Sequence, residues 1–229
     1  TLAFADLKDA DLTEADLSRA FMIGASFTGA VLYKAKLILV DLKSADLTGA
    51  NLIFADLTNA DLTQTNLSNA DLACADLIRT NLDGANLNGA NLSKYTSAGG
   101  TADRSTRTVT EGTSGVFPGF STDDDDKDVS RGANLTATNL KDANLTGANL
   151  TNTTLTSADL TGANLGGATL SGASLLGADL RNADLHDANL AEAALGRDDT
   201  LLHNTVNLTE VNLRGADLTE ADLSYAALT

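Results

Sequence analysis

Apolar side chains recur at every fifth position from Leu2 to Leu92, from Leu135 to Leu195 and from Leu208 to Leu228. Of these 37 centres 35 are Leu, the exceptions being Met22 and Phe27. Two residues before the centre stands a second filter: 29 of 36 such slots are Ala. The other seven are Thr65, Thr80, Thr138, Thr153, Val40, Val206 and Val211. Asp or Asn fills most slots one before the centre, so the unit reads A-(D/N)-L-x-x. A period of five fits neither a helix, which repeats at 3.6 residues, nor a flat strand, which repeats at two.

A chain that turns a corner every five residues satisfies the pattern. Each side sends its Leu and its Ala inward and its other three residues outward. Four sides close a square coil of about twenty residues, and successive coils stack at roughly 4.8 Å. The 37 centres then predict about nine coils, a rod on the order of 40 Å long. Backbone groups must pair with the coils above and below once the interior is dry. The Ala slot falls near the inner corner, where a larger side chain would overlap the adjoining Leu. Thr is tolerated there if its hydroxyl reaches a backbone carbonyl, and Val40, Val206 and Val211 are expected to be the tight spots. Asn and Asp beside the centre suit turns and can accept from nearby amides.

Long tandem A-(D/N)-L-x-x closely resembles the pentapeptide-repeat proteins over about 185 of the 229 residues. The resemblance implies an all-β fold, a right-handed quadrilateral parallel β-helix. Leu at nearly every centre resembles the Leu-rich members of cyanobacteria and chloroplasts. That implies two settings, a cytoplasm or a lumen of thylakoid or periplasmic type, and a photosynthesis-associated lumenal accessory role as one alternative.

The beat divides the chain into a first repeat section at 1–92, an inserted loop at 93–132 and a second section at 133–229, with a minor loop at 196–206. Leu92 and Leu135 are 43 apart and Leu195 and Leu208 thirteen apart, so neither gap is a whole number of repeats. The 93–132 loop is rich in Gly, Ser, Thr and Asp. That composition by itself reads as disordered, whereas the loop's one apolar run, Val116-Phe117-Pro118-Gly119-Phe120, reads as an anchor that folds onto the rod or onto a partner; both readings stay open, with the anchor slightly favoured. Asp123 to Asp126 followed by Lys127 has the spelling of an enteropeptidase recognition tag, though a natural acidic loop tip is the more economical reading. It lacks the spacing and glycine of an EF-hand loop. In the minor loop Leu201, Leu202 and Val206 are expected to rejoin the coil, with His203 displaced to the surface. Thr1 is already in phase and neither end carries a polar cap. A removed leader or a missing flanking segment is therefore expected, and terminal coils left open invite self-association.

Composition adds exclusions. With no Trp and 4% aromatic residues a conventional globular core is not expected. No apolar run approaches the ~18–20 residues of a membrane span. The single cysteine, Cys74, rules out an internal disulfide framework and is read as an incidental surface thiol. His186 and His203 stand near no nucleophile or zinc-type set, and the Gly-Ala pairs at 147, 162 and 172 follow the five-residue beat as corners. No enzyme, metal or cofactor site is expected.

The net charge of −16 disfavours contact with nucleic acid. It is compatible with mimicry of nucleic acid, since the gyrase-binding, quinolone-resistance members of the resembled family are acidic rods. Those members have Phe-rich centres, whereas Phe27 is the one Phe centre here. One stretch breaks the polar rule of the outward slots, with Phe21, Ile23, Val31, Tyr33, Ile38, Leu39, Ile53 and Phe54 alongside Lys34 and Lys36. A contiguous exposed apolar patch marks an interaction site, unless the inserted loop covers it. The expected function is a non-enzymatic scaffold binding an unknown protein partner through this patch and Phe117 and Phe120.

Overall fold

In the computed structural model, residues 1–94, 132–196 and 205–227 are described. Each five-residue unit forms one side of a four-sided coil, and the residue before each centre pairs in parallel with the residue twenty positions on, as Asp6 with Ser26 and Asp46 with Asn66. The centre amide donates to the carbonyl one coil on (Leu47 N to Asn66 O, 2.7 Å), and the amide before it donates one coil back (Asn66 N to Ala45 O, 2.9 Å). Side and corner groups are thus paired while the interior stays apolar.

Between consecutive described repeats each corner is a β-turn in which the centre's carbonyl accepts from the amide three residues on, as Ala50 N to Leu47 O at 3.0 Å. At these corners the second residue after the centre has φ near +60°, whether it is Arg79 or Gly147, and Lys94, where the chain leaves the repeat, departs from this. Positive φ at the third turn residue is the signature of a type II turn. The Leu and Ala columns form one continuous core, with Met22 and Phe27 buried among them. At both ends of the described stack the column is only half-buried, at Leu7, Leu12 and Leu17 and at Leu213, Leu218 and Leu223.

The exceptional slots behave as their chemistry requires. Thr65, Thr80 and Thr138 donate through their hydroxyls to the carbonyls of Leu42, Leu57 and Leu77 at 2.8, 2.7 and 2.6 Å, and Thr153 donates to Leu150 at 2.7 Å. The turn hydrogen bonds at Val40 and Val211 are 3.2 and 3.3 Å, against 2.9–3.1 Å at the Ala slots. Asp and Asn before the centre accept from the amide two residues on, as Thr48 N to Asp46 Oδ1 at 3.0 Å.

The stack resumes in phase after both interruptions. Asp76 pairs with Asn134 and Asp179 with Asn207, the pairings that follow if the intervening residues lengthen a single corner. Val206 is buried and its neighbour Asn207 rejoins the ladder. Leu201, Leu202 and His203 lie outside the described residues, as do Phe117 and Phe120.

Candidate functional site: an exposed apolar patch and a buried outer stripe

Twenty-residue counting stacks outward positions into columns. Tyr33, Ile53, Ala73 and Ser93 form one column, and Lys34, Phe54, Cys74 and Lys94 form the next, all at the same corner of successive coils. The corner directly after it carries Ile38 and Leu39, and the side that follows carries Phe21 and Ile23.

The structure separates the expected patch into two parts. Phe21 is 62% exposed and Leu39 48%, with Ile23 also exposed, as the outward pattern predicts. Ile38 is half-buried. Phe4, at 80% exposure, joins this part although the sequence pattern did not single it out. Its ring lies where a Cβ on Gly24, one coil on, would meet it at 2.7 Å. A survey of outward slots begun at the first coil instead of at residue 21 would have found it.

The second part is corrected. Tyr33, Ile53 and Phe54, expected at the surface, are only 6%, 0% and 4% exposed. With Ala73, Cys74 and the partly buried Val31 they form a second apolar cluster, separate from the Leu core. Cys74 is likewise no surface thiol, because it is buried in this cluster. Tyr33 and Phe54 meet edge to face, and the Lys34 ammonium lies 5.5 Å from the Tyr33 ring centroid. The burial is local: Thr13 and Glu14 in the preceding coil and Lys94 in the following one are exposed.

Two polar side chains share the buried stripe. Asp71 accepts from the Ala73 amide at 3.1 Å and from Asn91 Nδ2 at 3.0 Å. Burial nevertheless pushes its carboxyl above the ordinary aspartate value, against the pull of those two bonds. Asn51 accepts from the Ile53 amide at 3.1 Å, but its buried Nδ2 has no acceptor among the described residues.

Elsewhere the surface carries acidic and amide ladders. Asn86 Nδ2 donates to Asn66 Oδ1 at 3.0 Å, and Asn66 Nδ2 to Thr48 Oγ1 at 2.8 Å, so amides separate the carboxylates of a column. At Asp46 burial raises the carboxyl, but the hydroxyl and amide of Thr48 together with the Thr28 hydroxyl hold it below its usual range. At Asp61 burial is likewise outweighed, by Thr63 and by Lys43, whose ammonium lies 2.9 Å away. His186 pairs with Asp184 at 2.9 Å on a half-exposed side. Among the described residues no group of His, Cys, Asp and Glu is arranged to hold a metal ion, and no helix is long and apolar enough to cross a membrane.

The family model for pentapeptide repeats matches in eight copies, over residues 5–43, 35–64, 45–84, 60–94, 131–167, 163–197 and 206–229. Among solved structures the chain is similar to HetL of the cyanobacterium Nostoc sp. strain PCC 7120, a pentapeptide repeat protein involved in regulating heterocyst differentiation. The two are 30% identical over 99% of this chain and 86% of that one, with a TM-score of 0.52. QnrB1, a plasmid-mediated fluoroquinolone resistance protein, shares the fold at a TM-score of 0.53 and 16% identity, over 96% of this chain and 89% of that one. No curated protein matches the chain at significant sequence similarity. Members of the family are generally structural or interaction modules and fold as right-handed quadrilateral β-helices. The five-residue beat, the four-sided coil and these matches agree: the chain belongs to the pentapeptide-repeat family.

Proposed function

We propose that the protein is a non-enzymatic scaffold of about nine coils that binds a protein partner through the apolar patch of Phe4, Phe21, Ile23 and Leu39. One observation carries this reading. Five of the six exposed large hydrophobic residues among those described fall on one side, or beside it, within the first 39 residues: these four, which point outward, and Leu2, the centre of the first side. Polar Thr, Ser, Asn and Asp fill most equivalent slots farther along the rod. Apolar groups gathered on an otherwise polar rod favour burial against a partner. Tyr33, Ile53 and Phe54 contribute to the second cluster instead of this patch.

A photo-crosslinking side chain placed at position 21 should capture a partner that a Phe21→Asp/Leu39→Asp variant fails to retain. A Tyr225→Asp variant at the far end should retain it. Equal retention by all three would refute the reading. The acidic DNA-mimic alternative makes a different prediction, that the wild type inhibits gyrase supercoiling at low micromolar concentration. The column from Asp46 to Asp184, where four Asn stand between the two carboxylates, speaks against it on that side, since it interrupts the regular run of charge that duplex phosphates present.

A further inference from the structure

The side of the rod that carries Phe21 and Ile23 is divided lengthwise by charge. Its slots before the centres form one parallel ladder from Phe21 through Asp41 and Asp61 to Asp179, and none of them holds a cation. Its slots after the centres hold Lys43, Lys141 and Arg181, with Asp83 the one acid. Where both slots of a coil are charged the charges are opposite, Asp41 with Lys43 and Asp179 with Arg181. We propose that a second copy of the chain packs on this side, the two rods parallel and related by a two-fold axis along their length.

Such an axis keeps each coil level with its own copy and exchanges left for right. The slot before each centre then faces the slot after the same centre in the other chain. Phe21 meets the partner's Ile23, Asp41 the partner's Lys43 and Asp179 the partner's Arg181, each contact occurring twice by symmetry. In the other coils the two slots hold at most one charge, as Asp61 with Thr63 and Asn139 with Lys141, so like charges never face each other. Antiparallel rods would instead set the acidic ladder on itself, Asp41 against the partner's Asp179, which is unfavourable.

The cations have capacity for a second carboxylate. Lys43 lies 2.9 Å from Asp61 and 3.7 Å from Asp41, with its side chain 45% exposed. Arg181 holds Asp179 through Nε and Nη2, with its side chain 51% exposed. An ammonium offers three donors and a guanidinium five, more than these contacts use. A chain of net charge −16 repels its own copies. Self-association therefore needs a side that sets its few cations against its own carboxylates, and this side does so around an exposed apolar pair. The face is about 38 Å long over some eight coils and about 10 Å wide. That is at the low end of specific interfaces, so the dimer should form at tens of micromolar, roughly.

Sedimentation equilibrium of the purified full chain, from about 5 to 500 μM, should show the mass rising toward that of two chains. Arg181→Asp should weaken the dimer at least about tenfold, because Asp179 then faces a carboxylate across the axis. Asp179→Arg/Arg181→Asp exchanges the two charges within each chain and should restore association to within about threefold of wild type. Phe21→Asp should abolish it, and all three variants should keep the far-UV circular dichroism of the rod. A chain that stays monomeric throughout overturns the proposal. So does tighter association of Arg181→Asp, the result that antiparallel rods would give, or failure of the exchanged pair to recover. The inference rests on the partner-binding reading of the patch and names the partner. The two fail separately: a monomeric chain whose position 21 still crosslinks to a different protein sinks the inference and leaves that reading standing.

Discussion

The ring of Tyr33 meets that of Phe54 edge to face, with centroids 5.9 Å apart and planes at 80°, on the outside of a coil whose core is Leu. The two residues belong to neighbouring columns of successive coils, so their contact ties one corner to the next independently of the Leu stack. A double-mutant cycle with Tyr33→Leu and Phe54→Leu should give a coupling energy of about 0.5–1.5 kcal/mol, the worth of an aromatic pair beyond area burial. Additive losses in urea denaturation would show that the rings merely share a site.

Asp71 should make the protein less stable as pH rises through its titration. Its folded pKa lies above the ordinary value because of burial, so the folded state binds the proton more tightly than the unfolded chain. Stability is therefore greatest, as far as this group is concerned, below the unfolded value and falls as pH rises through the folded one. Asp71→Asn keeps an oxygen for the Ala73 amide and Asn91. The variant should melt higher than wild type at pH 7, and the gap should close toward pH 3. A lower melting temperature at pH 7 would mean that the charge is compensated.

Thr80 fills an Ala slot because its hydroxyl donates to the Leu57 carbonyl at 2.7 Å. Thr80→Val keeps the shape and loses the bond, and should cost about 0.5–1.5 kcal/mol. Thr80→Ser should recover most of that loss. By contrast Leu87→Ala, which empties a centre in the same stack, should cost roughly 2–5 kcal/mol, because facing coils relax poorly. Chemical denaturation of the three variants ranks them.

The corner residue with positive φ sets a different balance. Glu192 holds φ +59° at an exposed corner, where a side chain is strained. Glu192→Gly should stabilise the fold by about 0.5–1 kcal/mol, the relief exceeding the extra freedom of the unfolded chain. Gly162→Ala should do the opposite: φ is +70°, and a Cβ would run into the Asp142 carboxylate one coil back. A loss of about 1 kcal/mol or more is expected. Thermal melts of the pair should move in opposite directions.

The linear order of residues determined the coil because the constraint is local and repeated. Leu and Ala at fixed offsets require a corner every five residues, and the hydroxyls of Thr65, Thr80, Thr138 and Thr153 found the carbonyls that their slots demanded. The same counting placed Tyr33 and Ile53 in one column. Burial outside the coil was not legible there. Whether Cys74 and Phe54 face water depends on what lies over their column, and the repeat specifies only the contacts within and between coils. The tertiary structure alone decided that Phe21 and Leu39 stay exposed while Tyr33, Ile53, Phe54 and Cys74 are enclosed beside Asn51 and Asp71. A periodic pattern fixes which way a side chain points, but its solvation is set by the non-periodic contacts that reach it.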